Sequence, residues 1–213
     1  MPISINGSGT ITGISVGGLP DGIVDTDMLA NNAVATGKIA DNAVTNAKSS
    51  GLGISMADHF KITGTGTLNT DTTTQLNDAV SCTWVRSNSA GAGFIGTGMT
   101  ENNGVYTFPS TGIYQIIGNL VVSRDAAENR YANFNLEVST DGGSTYSIAA
   151  SGSGGFGQVY QRDTCSLCFI LDVTNTSNVK VRFSATTNRS NVLFRGDTNV
   201  NYSAVIFIRV GDT

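Results

Sequence analysis

From Asp58 to the end of the chain, apolar side chains recur at every second position in short runs, and clusters of Gly, Asn, Asp or Ser separate the runs. A period of two marks a strand with one buried face. Residues 58–63 read as a first strand. Residues 80–86 read as another, with Trp84 as a core anchor. In residues 132–139, Ala132, Phe134, Leu136 and Val138 point one way and Asn133, Asn135, Glu137 and Ser139 the other. This strand ends at Thr140-Asp141-Gly142-Gly143-Ser144, a hairpin signal, because Asp-Gly accepts the positive backbone angles of a tight turn. Residues 164–172 alternate again, with Cys165, Leu167, Phe169 and Leu171 inward. Val179, Val181 and Phe183 repeat the pattern, and Tyr202, Ala204, Ile206, Ile208 and Val210 close the chain. Helical periodicity is almost absent after Gly51. The pattern predicts a sandwich or jelly roll of short strands.

One strand departs from clean alternation. Residues 113–122 carry Ile113, Ile117 and Val121 on one face and Tyr114, Ile116, Leu120 and Val122 on the other. A strand with apolar side chains on both faces is covered on both, here by the opposite sheet and by neighbouring subunits. Just before it, residues 104–116 read Gly-Val-Tyr-Thr-Phe-Pro-Ser-Thr-Gly-Ile-Tyr-Gln-Ile: a strand, a Pro-Ser-Thr-Gly turn and a second strand, forming a corner of a sandwich. The spacing of Gly104, Tyr106, Gly112 and Tyr114, followed at once by an apolar strand, resembles the central signature of the jelly-roll heads related to complement C1q and tumour necrosis factor. The resemblance implies a trimer, with the last strand central in its sheet and close to the threefold axis. The residues expected in the core and trimer contacts are Tyr106, Tyr114, Ile116, Leu120, Tyr202, Ile206 and Ile208.

The first quarter of the chain is different. Residues 3–20 are β-prone and punctuated by Gly, with isolated pairs of β-branched residues that build no core alone. A ten-residue repeat follows, in which residues 22–31, 32–41 and 42–51 align. Val24, Val34 and Val44 hold one apolar position. Leu29 and Ile39 hold a second, which Ser49 replaces in the third unit. Each unit has too few apolar side chains to bury against itself, so such repeats stack along an axis or associate with other chains. The phrase Lys-Ile-Ala-Asp-Asn-Ala-Val-Thr-Asn-Ala-Lys at residues 38–48 resembles the shaft repeat of bacteriophage tail fibres. Gly-Thr-Ile-Thr-Gly-Ile-Ser-Val-Gly-Gly-Leu-Pro at residues 9–20 is similar to the N-terminal stretch of phage structural proteins. A linker with accidental periodicity is the plainer alternative.

Composition narrows the function. Of 213 residues, 39% are hydrophobic and only 13% charged, so the surface is polar through Ser, Thr, Asn and Gly. The net charge of -4, with no Lys or Arg before Lys38, gives no basic footprint for nucleic acid. The N-terminus shows neither a basic nor an apolar leader region, and no apolar run is long enough for a bilayer, which predicts synthesis and assembly in the host cytoplasm. Cys82, Cys165 and Cys168 are odd in number, unlike a disulfide framework.

Chemical motifs are weak against this background. Residues 91–96 and 152–157 match the dinucleotide-binding glycine string, but neither opens a helix, and among 26 glycines such strings arise by chance. Both read as loops. Cys165 and Cys168, three apart on a strand, face opposite sides and do not share a metal. His59, the one histidine, has no recognisable nucleophile. Asp125, Glu128, Glu137, Asp141, Asp163 and Asp172 lie in loops or outward positions, where a glycosidase pair is conceivable. Asp25-Thr26-Asp27 and the Asp141 turn lack the spaced carboxylates of an EF-hand. Arg195-Gly196-Asp197 reads as a turn. No catalytic residue, cofactor or metal is assigned.

The sequence therefore predicts a mainly β protein: residues 1–51 an extended attachment segment with ten-residue repeats, residues 52–213 a C1q-like jelly-roll head, assembled as a homotrimer on a bacteriophage virion surface. The leading expectation is a short tail fibre or spike, with loops 88–93, 151–157 and 188–191 reading host glycan or protein. The alternative is a capsid decoration or cement protein anchored through residues 1–51. An enzyme acting on host polysaccharide is the third reading. The expected partners are a tail adaptor or capsid protein and a host surface receptor, without nucleic acid or membrane insertion.

Overall fold

The computed structural model describes residues 4–5, 11–12, 33–40, 43, 53–89, 91–124, 130–158 and 161–213. The chain divides into two compact units, Met1–Ser50 and Gly51–Thr213. In the first unit, β1 (Ser4–Ile5) and β2 (Ile11–Thr12) pair antiparallel, with Ser4 opposite Thr12. Thr36–Lys38 forms a single 3-10 turn. Of the predicted repeat positions, Val34 is 52% and Ile39 43% exposed. Val24, Leu29 and Val44 lie outside the described residues.

The second unit contains the strands β3 (Met56–Ile62), β4 (Gly66–Thr67), β5 (Thr74–Gln75), β6 (Trp84–Arg86), β7 (Thr100–Asn102), β8 (Val105–Thr107), β9 (Gly112–Arg124), β10 (Arg130–Ser139), β11 (Ser147–Phe156), β12 (Arg162–Val173), β13 (Lys180–Thr187), β14 (Val192–Phe194) and β15 (Ala204–Gly211). No α-helix occurs among the described residues. A seven-stranded sheet runs β4-β14-β9-β15-β3-β6, with β12 on the other edge of β9. A six-stranded sheet runs β11-β10-β13-β8-β7, with β5 beside β13. Every pairing between these strands is antiparallel, and the two sheets close over one core.

Alternation places the core as expected in most strands. Phe134 and Leu136 of β10, Cys165 of β12, Val181 and Phe183 of β13, and Tyr114, Ile116, Leu120 and Val122 of β9 are buried, as are Trp84 and Tyr106. The expected corner connects the two sheets. Β8 belongs to the six-stranded sheet and β9 to the seven-stranded one, so residues 108–111 carry the chain across the core. The Tyr114 hydroxyl donates to the Ser110 carbonyl at 2.9 Å and pins the crossing.

The last strand corrects the sequence reading. Val205 and Phe207 enter the core, whereas Ile206 and Ile208 stand half-buried on the outer face and Val210 is exposed. Tyr202 lies before the strand and is 39% exposed. Because residues 204–208 are all apolar, alternation alone leaves the face open. The pairing decides it, setting Phe207 opposite Ile116 and Ile206 opposite Ile117. As expected, the strand is central, between β3 and β9.

A second correction concerns residues 151–157, expected as a loop. Residues 151–156 are the end of β11, with Gly152 opposite Phe134. Glycine is required here by space: a Cβ on Gly152 would lie 1.8 Å from the Ser166 carbonyl oxygen of β12. The run therefore brings the edges of the two sheets together. The Asp141 hairpin holds, but its connection spans residues 140–146, with positive φ at both Gly142 and Gly143.

Gly152→Ala is expected to cost about 3 kcal/mol through overpacking against backbone. Gly157→Ala, whose Cβ meets nothing closer than 4.0 Å, stays within about 0.5 kcal/mol. Urea unfolding of the two variants checks the difference.

Candidate functional site: an apolar sheet face and an edge cleft

The strand order of the seven-stranded sheet builds a continuous row across its outer face. Cys168 of β12 stands opposite Ile117 of β9, Ile117 opposite Ile206 of β15, and Ile206 opposite His59 of β3. In the next row Ile170 faces Gln115, Gln115 faces Ile208, and Ile208 faces Ala57. Ile170 is 55% exposed and Cys168 is exposed. Ile113, Ile117 and Val121 are half-buried within the single chain. An apolar strip in the middle of a sheet, bordered by Asn119, Ser166 and Asp172, has the composition of a protein contact surface.

The predicted core and contact residues thus divide. Tyr106, Tyr114, Ile116 and Leu120 lie in the interior of the sandwich, while Ile206 and Ile208 belong to the outer face. Tyr202 stacks under the Arg162 guanidinium at 5.7 Å.

Beyond this face, a cleft of about 460 Å³ opens where the free edges of β6 and β7 part. Phe60, Trp84 and Met99 contribute its apolar wall, Arg86 and Glu101 its charges. Arg86 is committed. Its Nε and Nη2 donate to the two Asp58 oxygens at 2.9 Å, Nη2 also donates to the Met99 carbonyl, and the guanidinium lies 4.5 Å from the Phe94 ring centroid. Asp58 is buried and further accepts from the Met99 amide at 2.7 Å. Burial pushes the Glu101 carboxyl above its ordinary range, against the opposing effect of the Gly104 amide that donates to it at 2.6 Å; nearby Asp78 adds to the rise. Neither Asp58 nor Glu101 was singled out in the sequence. A carboxylate on an apolar alternation of strand 56–62 was the available signal for Asp58.

The chemical candidates do not assemble into a reaction centre among the described residues. His59 is half-buried, its pKa lowered chiefly by burial, which Asp58 opposes and Lys61 reinforces. Cys165 is buried, with its thiol pushed up to about 11 mainly by burial, and donates to the Ala132 carbonyl. Cys168 is on the opposite face. Glu137 is buried in an ion pair with Arg182 at 2.7 Å. Asp141 accepts from Thr145 and Ser139 inside its own turn, and these hydrogen bonds hold it well below the usual carboxylate range. Asp163 accepts from the Gly155 amide, and Asp172 is exposed. Asp125 and Glu128 lie outside the described residues, as do Asp25 and Asp27. No group of three His, Cys, Asp or Glu side chains gathers among the described residues.

No family model matches the chain, and no curated protein matches it. Solved structures do. Eiger, a TNF from S. frugiperda, superposes with a TM-score of 0.52 at 10% identity, covering 74% of this chain and 93% of that one. Murine APRIL at pH 5.0 gives a TM-score of 0.48 at 11% identity, covering 72% and 98%. The likeness to Eiger is one of fold: the chain carries a TNF-like jelly roll.

Glu101→Gln keeps the acceptor for Gly104 and removes the desolvated charge. A carboxyl whose folded pKa is raised contributes most below its unfolded pKa and loses that contribution as pH rises through the folded value. The wild type is therefore expected to lose stability as pH rises above the ordinary Glu range of about 4.3. Across that window the stability difference should grow in favour of the Gln variant, which should be at least as stable as the wild type at pH 7. Thermal melts across that window test the sign.

Proposed function

We propose that the chain is a trimeric, non-enzymatic structural protein of a bacteriophage virion surface: a short tail fibre or spike whose C-terminal unit binds a host receptor. The observation that carries the assembly is the uncovered apolar row Cys168, Ile117 and Ile206, flanked by Ile170 and Ile208. Copies related by a closed rotation cover such a face without leaving a free surface for endless growth. The TNF-like jelly roll supports a threefold arrangement, since heads of the type resembled are usually trimers. The N-terminal repeat supports the phage reading through its likeness to fibre shafts. Val34 and Ile39, both exposed, are consistent with a segment that needs other chains to bury its apolar positions. The low charge suits a stable external protein that presents hydroxyl and amide groups to its surroundings.

In sedimentation velocity the full chain is expected to run as a species of three times 22.1 kDa. Ile206→Asp puts a charge at the middle of the face without entering the core, so it should raise the dissociation constant at least tenfold and leave the monomer folded, at a cost of about 3 kcal/mol or more per buried unpaired charge in the assembly. A wild type that sediments as a monomer removes the assembly reading.

Copy number per virion, measured against the major capsid protein by quantitative mass spectrometry, separates the two locations. A handful of trimers places the protein on the tail or a vertex and supports receptor binding. A ratio near that of the capsid protein makes it a decoration protein, and the fibre reading falls.

A further inference from the structure

The outer face of the seven-stranded sheet changes character along β9. Asn119 and Ser166 end the apolar strip, and beyond them the face carries cations. Arg162 of β12 stands opposite Ser123 of β9, with Leu193 of β14 opposite Ser123 on its other side. Residues directly opposite each other project from one face of a sheet, and Arg162 is exposed. Arg195, which follows β14, converges on the same point: its amide donates to the Val121 carbonyl at 2.8 Å and its Nε to the Ser123 hydroxyl at 2.7 Å. Tyr202 completes the group. Its ring lies 5.7 Å from the Arg162 guanidinium, and the next residue, Ser203, donates to the Arg195 carbonyl at 2.6 Å. Ser123 lies about 20 Å along β9 from Ile117, at a rise of about 3.4 Å per residue, so this patch is separate from the apolar row.

These cations are not neutralised among the described residues. Arg162 touches only the Tyr202 ring and spends none of its N–H donors within the chain. The two Nη groups of Arg195 likewise have no partner, and unlike those of Arg124 they are not enclosed. Adjacent carboxylates are committed elsewhere. Asp163 points to the other side of β12 and accepts from the Gly155 and Thr164 amides. Asp197 accepts from the Asn199 and Val200 amides, which lower its pKa, and the cation that adds to this effect is Lys61. Arg124, the residue after Ser123, is buried with Nη1 and Nη2 unpartnered. It reaches no ligand, but its charge raises the positive potential at this end of the sheet. The cavity of about 150 Å³ beside Gln75 on the six-stranded sheet offers no comparable group, because its Arg182 is paired with Glu137.

Two open guanidinium groups over one patch call for an anion, since the fork of an arginine matches the oxygens of a carboxylate or a phosphate with short, charge-assisted hydrogen bonds. A nucleic acid would need a basic stripe, and a chain of net charge -4 with two open arginines here has none. What surrounds the cations suits a sugar: Tyr202, 39% exposed, offers an aromatic surface for ring C–H groups, and Thr164 and Ser166 expose hydroxyls on the same face. We propose that this end of the sheet binds an acidic sugar, with its carboxylate or phosphate ester between Arg162 and Arg195, its ring against Tyr202 and its hydroxyls toward Thr164 and Ser166. The inference rests on the receptor-binding reading and specifies its ligand class and its site, which falls outside the loops expected to read the host.

The test is surface plasmon resonance over the immobilised full chain, with trigalacturonic acid, sialyllactose and a hexose phosphate as acidic sugars, and lactose, inorganic phosphate and a Glu-Ser peptide beside them. The acidic sugars are expected to bind with a dissociation constant on the order of 0.1–1 mM, about tenfold tighter than lactose, and more weakly as sodium chloride rises from about 50 to about 500 mM. Sialyllactose against the hexose phosphate separates a carboxylate source from a phosphate source. Arg162→Ala removes a guanidinium that makes no hydrogen bond within the chain, so it should weaken binding about tenfold at an unchanged melting temperature. Arg195→Lys keeps the charge, loses the fork and should weaken binding about fivefold; if either variant melts early, the other decides. Lactose binding as tightly as the acidic sugars overturns the need for charge, and phosphate or peptide binding as tightly overturns the sugar. Undiminished binding by both variants overturns the site. Loss of the trimer in sedimentation of Arg162→Ala also overturns it, by assigning these arginines to the contact between copies. Host-cell binding separates the two readings. Cells bound equally by wild type and Arg162→Ala retain the receptor role and sink the patch, whereas sugar binding that Arg162→Ala weakens, without cell binding by the wild type, retains the patch and sinks the receptor role.

Discussion

The two sheets are tied together by one aromatic cluster with Tyr106 at its centre. Its ring lies 5.1 Å from Phe60 and 5.0 Å from Phe207 of the seven-stranded sheet, 6.0 Å from Trp84 of the same sheet and 5.7 Å from Phe183 of its own. Most of these contacts are edge to face, an arrangement that contributes about 0.5–1.5 kcal/mol per pair beyond area burial. The phenol is buried and its hydroxyl has no partner among the described residues, and burial drives its pKa well upward. An unsatisfied hydroxyl costs about 1–3 kcal/mol, so the ring packing must outweigh it. Neither sheet can slip along the other without breaking several of these ring contacts at once.

The corner follows from the same cluster. Phe108 leaves the six-stranded sheet and meets Tyr114 of β9 at 4.7 Å, so the crossing is filled by aromatic rings at both ends. Gly112 has φ of 143° and lies against Arg209, where a Cβ would be 2.4 Å from Nε. The chain therefore enters β9 pressed directly against the last strand. From there β9 pairs with β12 along one edge and with β15 and then β14 along the other. Its inner side chains complete the core, and its outer ones become the centre of the apolar face. One strand thus links the packing of the core to the apolar outer face.

How much of this the sequence revealed depended on whether local pattern or pairing made the decision. Β10 and β13 carry polar residues opposite apolar ones, and their faces were legible. Β15 is apolar on both parities, so only its ladder with Ile116 and Ile117 tells Phe207 from Ile206. Β11 reads as a loop because Gly152 and Gly154 have low strand propensity. Their reason for being there is β12, whose Ser166 backbone crowds Gly152 and whose Asp163 and Cys165 side chains crowd Gly154, contacts that strand alternation does not reveal. The hairpin from β7 to β8 was missed although Asn103 and Gly104, at φ 48° and 82°, give a strong two-residue signal. The buried Asp58 and the pocket around Gln75 each draw on three separated segments, which no local pattern joins.

The two outer faces carry opposite solutions to the same problem. A sheet face not covered by its own chain must be either hydrated or covered by something else. On the six-stranded sheet, Asn135, Ser184 and Glu137 are buried within the chain and, with Ser151 and Arg182, satisfy one another, so that face needs no partner. On the seven-stranded sheet, the side chains at equivalent places are Ile170, Ile117, Ile206 and Ile208, which gain nothing from water. The difference between the two faces is written into the alternation of β9 and β10, one strand apolar on its outer side and the other polar.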